Sequence, residues 1–193
     1  MNKRIGLYGG SFNPIHNGHV RLAGQIRRLA HLDEVWFMVS PQNPLKTGQD
    51  LLKDEQRLML AQRALSRHPG LEASDYEFHL PRPSYTWNTL QALARDYPDY
   101  EFVLIIGADN WESFPHWYRG DDIISQYHII VYPRKGSDID AASLPENVQL
   151  VSTSLINISS TDIRRRIAQG RRYQHLVPKA VADTIEAYQF YSL

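Results

Sequence analysis

Short apolar runs alternate with segments of helical spacing along most of this sequence, and that alternation limits the folds open to it. Residues 5–8 and 35–39 are apolar runs of strand length, and between them residues 20–30 place their apolar side chains, ending in Leu29 and Ala30, on one helical face. The same reading predicts further strands at 102–106, 128–132 and 148–151, a partly extended segment at 71–80, and helices at 54–66, 86–95, 160–169 and 179–188.

Strands that alternate with helices are typical of an α/β protein with a parallel sheet and helices on both of its faces. The strand runs are apolar without alternation, as in strands buried on both sides. We therefore predict a Rossmann-like, doubly wound parallel sheet in a single domain, residues 1–193, whose part from about 159 to 193 is a small C-terminal helical extension. In such sheets ligands bind beyond the carboxyl ends of the strands, so chemistry is expected there.

Composition excludes several classes of protein. Lys plus Arg and Asp plus Glu both number 21, a balance that argues against a nucleic-acid or membrane-surface binder, which needs a basic excess. The sequence has no cysteine, which excludes disulfides, thiolate metal sites, iron–sulfur clusters and a cysteine nucleophile. No apolar run approaches the roughly 20 residues of a membrane helix, and residues 1–10 do not resemble a signal peptide. We expect a cytoplasmic protein, and a homo-oligomer is compatible with the sequence.

A segment rich in glycine and histidine follows the first predicted strand and precedes the first predicted helix. It reads Gly9-Gly10-Ser11-Phe12-Asn13-Pro14-Ile15-His16-Asn17-Gly18-His19. The glycines let a ligand approach the backbone, and a helix start offers free N–H groups to an anion. His16 and His19 could therefore face one phosphate group. Two alternatives stay open: a capped helix with solvent-facing histidines, and a metal pair, which the lack of a nearby carboxylate or thiolate disfavours.

A second helix start lies near the other end of the chain, in Ile158-Ser159-Ser160-Thr161-Asp162-Ile163-Arg164. Ser159 or Ser160 is a good N-cap, and the spacing from Ser159 to Asp162 is that of a capping box. Arg164, Arg165 and Arg166 point about 100° apart on a helix, so only one of them can face a given ligand. The alternative is a solvated basic face on an ordinary capped helix.

Together the two segments resemble the paired signatures of the nucleotidyltransferases with a His-x-Gly-His motif, placed near opposite ends of the chain as in that family. Within the family, the chain is similar over essentially its whole length to the bacterial nicotinate mononucleotide adenylyltransferases. The narrower resemblance rests on segments 43–46 (Asn-Pro-Leu-Lys), 82–86 (Arg-Pro-Ser-Tyr-Thr), 106–109 (Ile-Gly-Ala-Asp) and 114–118 (Phe-Pro-His-Trp-Tyr). Asn13 stands where many members carry Asp, and both residues favour the same turn.

The resemblance implies a reaction of ATP with nicotinate mononucleotide that gives nicotinate adenine dinucleotide and pyrophosphate, in NAD biosynthesis. It implies that His16, His19 and Arg164 are catalytic, acting on the ATP phosphates and the leaving pyrophosphate. The residues that it implies for ATP binding are Gly9, Gly10, Ser11, Phe12, Lys46, Gly107, Asp109, Arg134, Ser160 and Thr161. Mg²⁺ is expected to travel on the ATP phosphates with mostly water ligands, and we expect no metal site built from protein side chains.

The mononucleotide is expected to meet three further residues. The resemblance makes Trp117 the stacking platform for the pyridine ring, and it places Tyr85 and Thr86 at a helix start, where N–H groups and the Thr86 hydroxyl could bind the carboxylate. Structural alternatives remain: Trp117 could be a core residue, Asp109 a helix cap, and Lys46 a surface lysine.

Other functions stay open on the sequence alone. An adenylyltransferase that uses phosphopantetheine, or a cytidylyltransferase, would share the paired signatures without needing the three mononucleotide residues. A non-catalytic nucleotide-sensing module is a different class of protein, and the intact histidines and Arg164 argue against it. Release of pyrophosphate from ATP would separate an enzyme from a sensor.

Overall fold

A computed structural model describes residues 2–41, 51–137, 139–154 and 157–192, and its centre is a sheet of parallel strands. The strands are β1 (Lys3–Gly10), β2 (Glu34–Val39), β3 (Leu71–Ser74), β4 (Tyr100–Gly107), β5 (His128–Tyr132) and β6 (Val148–Leu150). Their order across the sheet is β3-β2-β1-β4-β5-β6. The chain thus leaves β1 toward one edge and β4 toward the other, which makes the β1–β4 boundary the point where the direction of winding reverses.

Helices cover both faces of this sheet. They are α1 (Asn17–Leu29), α2 (Asp54–Leu65), α3 (Thr86–Asp96), α4 (Ala108–Ser113), α5 (Gly120–Gln126), α6 (Ser160–Ala168) and α7 (Lys179–Tyr188). α1, α2, α6 and α7 pack in the apolar core on one face, and α3, α4 and α5 pack in the core on the other. Within β1, Ile5 and Leu7 belong to the second core whereas Tyr8 belongs to the first, as the alternation of a strand requires.

The predicted α/β class, the parallel sheet and the C-terminal helices are confirmed. The sequence reading missed α4 and α5, because helices of six and seven residues are too short to show a clear period. It was also wrong about Leu29, which is 49% exposed. At about 100° per residue, the nine residues from Val20 to Leu29 place the two side chains on opposite sides of the helix, whereas Ala30 stays buried.

No helix in the described part of the chain is both long enough and apolar enough to cross a membrane.

Candidate functional site

β1 ends in two glycines, of which Gly9 is open and Gly10 lies against an aromatic ring. A Cβ on Gly9 would meet no atom within 4 Å, so the backbone there is free for a ligand to approach. A Cβ on Gly10 would lie 3.0 Å from the ring of Phe12, which is buried and has a positive φ of 46°. That ring meets the imidazole of His19 edge-on at 5.1 Å, so Phe12 supports a histidine from below.

His16 and His19 cap the start of α1 reciprocally. The backbone N–H of His19 donates to Nδ1 of His16 at 3.3 Å, and the backbone N–H of His16 donates to Nδ1 of His19 at 3.2 Å. The two rings stack with their centroids 3.6 Å apart. Because each Nδ1 accepts a hydrogen bond, the neutral form of each ring carries its proton on Nε2. The cap therefore fixes the tautomer and leaves an Nε2–H donor on each ring.

Burial keeps this pair uncharged. Removal from water, together with the charge of Arg134, lowers the pKa of His16 to about 4. Burial, the neighbouring His16 and Arg134 lower the pKa of His19 well below its usual value. At neutral pH both rings are neutral hydrogen-bond donors, and an anion placed against them would favour their protonated forms.

α6 holds the same loop from its other side. Ser159 is the N-cap, and its side chain accepts from the N–H of Asp162 at 3.0 Å. Ser160 Oγ donates to the carbonyl of Pro14 at 2.9 Å, and Arg164 Nη1 donates to the carbonyl of Asn13 at 2.8 Å. The two predicted motifs are thus in direct contact, although the bonded residues are 146 and 151 positions apart in the sequence.

Of the three consecutive arginines, Arg164 is the one that faces the loop. Arg165 and Arg166 both pair with Asp162 on the outer side of α6. Arg164 Nε is buried, and its N–H has no hydrogen-bond partner among the described residues. The prediction that one arginine is set apart by the helical geometry is confirmed. Thr161, next in the motif, is exposed.

A cavity of about 520 Å³ opens beyond the carboxyl ends of β1, β4 and β5. Four predicted residues meet on its wall, namely His16, His19, Asp109 and Arg134. The other described residues predicted for catalysis or ATP binding lie outside the lining: Gly9, Gly10, Ser11, Phe12, Gly107, Ser160, Thr161 and Arg164. Arg164 and Ser160 contact the loop behind the histidines instead.

Sequence reasoning missed other residues on this wall: Tyr8, Leu22, Tyr132, Lys135, Ser154, Asn157. Burial raises the pKa of Tyr8 and of Tyr132, so both phenols stay protonated under the histidines. Their positions held a usable signal, because Tyr8 directly precedes Gly9 and Tyr132 ends β5 two residues before Arg134. Residues that close strands at the switch point are candidates for the same site.

Asp109 and Arg134 form an ion pair at the cavity wall, with Nε 3.4 Å from Oδ1 and both side chains about half exposed. Gly107 makes this pair possible, because a Cβ there would collide with the Asp109 carboxylate and lie 3.1 Å from Arg134. The N-cap of α4 is Gly107, so the alternative that Asp109 caps the helix is wrong. A carboxylate and a guanidinium so placed can bind hydroxyl groups and an anion respectively.

Arg57 is a buried residue that sequence reasoning overlooked. Its side chain is 0% exposed, and it donates to the carbonyls of Leu52 at 3.0 Å and Ser11 at 2.7 Å and to Asp54 Oδ1 at 2.6 Å. The pairing with Asp54 could have been read from the i, i+3 spacing on α2. The contact with Ser11 could not, because it joins residues 46 apart in the chain.

The three residues predicted for the mononucleotide lie on a separate surface. Tyr85 is the N-cap of α3 and is 44% exposed, and its ring lies 4.8 Å from that of Tyr118. Thr86 is the first residue of α3. Trp117 is half-buried, with its ring 5.0 Å from that of Phe114. Tyr85 and Trp117 are thus brought together through Tyr118, but outside the cavity that holds the histidines.

Two further expectations concern charged groups. Lys46 lies outside the described residues. Within the described ranges, no three His, Cys, Asp or Glu side chains are grouped closely enough to hold a metal ion.

Comparison with known proteins defines the class to which this fold and site belong. Residues 7–166 match the model of the cytidylyltransferase-like family, and the chain belongs to that family. A relative from Bacteroides fragilis is 48% identical over 94% of this chain and 90% of its own length, and one from Bacteroides thetaiotaomicron is 45% identical over 96% and 92%. Both are named probable nicotinate-nucleotide adenylyltransferase. Within the family the chain is a member of the nicotinate-nucleotide adenylyltransferases.

A solved structure shares the fold. The nicotinic acid mononucleotide adenylyltransferase of Plasmodium falciparum, in complex with NaAD, superposes with a TM-score of 0.81 over 98% of this chain and 97% of its own, at 21% sequence identity.

Proposed function

We propose that this protein transfers the adenylyl group of ATP to nicotinate mononucleotide, giving nicotinate adenine dinucleotide and pyrophosphate, a step of NAD biosynthesis. The observation that carries the chemistry is the stacked pair of neutral histidines at the start of α1, whose Nε2–H groups donate to no described residue and could bind phosphate oxygens. The names of the curated relatives support the choice of substrates.

The reaction needs a positioned site more than a proton acceptor. A phosphate oxygen of the mononucleotide attacks the α-phosphorus of ATP, and the bond from that phosphorus to the oxygen bridging the α- and β-phosphates breaks. The electron pair of the broken bond leaves with pyrophosphate. Because the second pKa of a phosphate monoester is near 6, the attacking group is already largely dianionic at neutral pH. The residues of this chain are left to align the two phosphates and stabilise the developing charge.

Each group near the cavity has a part in that task. His16 and His19 donate Nε2–H bonds to phosphate oxygens, and the hydrogen bonds strengthen as charge gathers on the leaving pyrophosphate. Arg164 fixes the loop that carries them and has its Nε–H left for an oxygen. The Asp109 carboxylate suits the ribose hydroxyls of ATP, and Arg134 beside it suits a phosphate. Gly9 lets the nucleotide lie against the backbone.

The surface around α3 would bind the mononucleotide. The N–H groups of the first turn of α3 and the Thr86 hydroxyl would bind the nicotinate carboxylate, because an anion is favoured at a helix start. The indole of Trp117 would stack on the pyridine ring.

Mg²⁺ would be bound mainly by the triphosphate. Asp109 is the one carboxylate among the described residues that line the cavity, and Arg134 already pairs with it. Such a donor set fits an ion held by phosphate oxygens and water better than one held by a protein cage. When bound, Mg²⁺ neutralises part of the phosphate charge.

The test compares two substrates. With ATP and Mg²⁺, we expect dinucleotide formation and pyrophosphate release, and kcat/KM for nicotinate mononucleotide about 5- to 150-fold above that for nicotinamide mononucleotide. N–H donors aimed at a carboxylate are badly paired by an amide NH₂, at about 1–3 kcal/mol per group. Equal kcat/KM for the two mononucleotides would overturn the proposed specificity for the acid. If neither mononucleotide led to pyrophosphate release, the proposed choice of substrate would be overturned.

A further inference from the structure

A series of hydrogen-bonded charged side chains joins the histidine loop to the segment that precedes α3. It begins at the loop after β1, where the carbonyl of Ser11 accepts from Arg57 Nη1 at 2.7 Å. Arg57 Nη2 then donates to Asp54 Oδ1 at 2.6 Å, and the other oxygen, Oδ2, accepts from Arg82 Nη2 at 3.0 Å. Arg82 stands four residues before Thr86, at the entry to α3.

These side chains become more exposed from Arg57 to Arg82. The Arg57 side chain is 0% exposed, that of Asp54 is 12% exposed and that of Arg82 is 45% exposed. Arg57 is fixed further by the carbonyl of Leu52, whose own N–H donates to Asn13 Oδ1 at 3.2 Å. The inner end is therefore rigid and cross-linked to the histidine loop, whereas the outer end holds a surface segment.

We propose that Arg57, Asp54 and Arg82 form a positioning relay that sets the segment 82–86 relative to the histidine loop, so that each occupied subsite favours occupation of the other. The proposal rests on the proposed function, because it takes 85 and 86 to bind nicotinate mononucleotide. A bidentate carboxylate held between two guanidinium groups is suited to this, since it fixes two segments at once with charge-assisted hydrogen bonds.

The relay sets the distance and orientation between the segment 82–86 and the histidine loop, and it does not contact the reacting atoms. Ser11 lies in the loop that leads to His16, and Arg82 lies in the segment that leads to Thr86, so any shift of Asp54 moves both relative to each other. Coupling between sites is a free energy that is equal in both directions. Binding of an ATP analogue should therefore tighten binding of the mononucleotide by the same factor as the reverse.

Arg82→Ala is the first test, because it removes the half-exposed outer guanidinium and leaves the buried Arg57–Asp54 pair in place. We expect KM for nicotinate mononucleotide to rise about 3- to 10-fold, as for loss of one partly exposed charge-assisted hydrogen bond. The Kd of α,β-methylene-ATP alone should stay unchanged, as should the melting temperature. Arg82→Lys, which keeps the cation, should recover part of the loss.

The matched control is Arg95→Ala. Arg95 lies at the other end of α3, pairs with Asp96 at 2.8 Å and is 74% exposed. Arg95→Ala removes the same charge near the opposite end of α3 without changing a residue of the relay. A rise in KM equal to that of Arg82→Ala would show that net charge alone is responsible and would overturn the proposal.

A double-mutant cycle separates the relay from a direct contact between Arg82 and the substrate. Asp54→Asn keeps an oxygen for Arg57 and loses the charge that holds Arg82. If the relay operates, Asp54→Asn and Arg82→Ala raise KM by similar factors and the double variant is no worse than either. Effects that multiply would overturn it.

Calorimetry measures the coupling itself, with α,β-methylene-ATP and nicotinate mononucleotide as the two probes. In the wild type the Kd of each should fall when the other is bound, and in Arg82→Ala that factor should approach one. A wild type that binds both without coupling, or a variant that keeps the coupling, overturns the relay. A wild type that does not bind nicotinate mononucleotide overturns the proposed function first, and the relay with it.

Discussion

The histidine side of this molecule and the side around α3 that we propose binds the mononucleotide are built in opposite ways. His16 is 5% exposed, its ring is locked to His19 by a reciprocal cap, and the loop before it is held by α6 and by Arg57. Tyr85 and Tyr118, on the other side, are 44% and 51% exposed and touch chiefly through their rings. Under the proposed function, the groups that stabilise charge are fixed before the substrate binds, whereas the groups that contact the flat ring are held less firmly.

The largest effect on activity should come from a change in the histidine pair. We expect His19→Ala to cut kcat by about 10²–10³, as for loss of one donor to a developing anion. Single-turnover assays with ATP and nicotinate mononucleotide measure it, and Arg165→Ala, whose guanidinium pairs with Asp162 away from the loop, is the control. Near-normal turnover of His19→Ala would remove the basis for contrasting the two sides.

The buried histidine also makes the fixed side sensitive to acid. The pKa of His16 is lowered to about 4, so between pH 4 and 6.5 the unfolded chain binds a proton there that the folded chain does not. The free energy of unfolding should therefore fall as the pH falls through this window, by roughly 2 kcal/mol between pH 7 and 5 from this one group.

His16→Asn isolates that contribution, because Asn is also a good N-cap but does not titrate. Urea unfolding at pH 7 and at pH 5, without nucleotide, should show a smaller difference for the variant by about that amount. The same pH dependence in both proteins would mean that the fold does not lower the pKa of His16, and the contrast with the exposed side around Tyr85 would be lost.

Arg164 tests whether the loop needs a planar group behind it. Arg164→Lys should lower kcat/KM about 10- to 100-fold, because lysine cannot hold the carbonyl of Asn13 and offer a second fixed N–H at once. Arg166→Ala, on the Asp162 side of α6, should cost little. Equal damage from both, measured as kcat/KM for ATP, would contradict the placement of Arg164 as the single inward arginine.

The smallest effect should appear on the open side, and it should change selectivity more than rate. Thr86→Val removes one hydroxyl and should narrow the preference for the acid over the amide mononucleotide by about two- to tenfold. Trp117→Ala should weaken both mononucleotides alike, since stacking does not involve the carboxylate. Paired kcat/KM values for the two substrates decide it; an unchanged preference in Thr86→Val would remove the hydroxyl from the recognition site.

The sequence predicted best those features that follow from local pattern and from the general geometry of a parallel sheet. The ends of β5 and α7 have their predicted residues, and the two motifs lie together, because strand ends of a parallel sheet share one edge. What it could not reveal depends on long-range packing. No residue next to Arg57 in the sequence indicates that its guanidinium donates to the carbonyl of Ser11, 46 residues away.

The hydroxyl of Tyr191 donates to Asn13 Oδ1 at 2.8 Å, across 178 residues of sequence. Protein synthesis adds about 5–20 residues per second, so a nascent chain waits roughly 10–35 s between making the two ends of this bond. Contacts of such sequence separation also form late in folding. The loop between β1 and α1 should thus be one of the last segments of this sequence to reach its final shape, because its Asn13 side chain waits for a partner made 178 residues later.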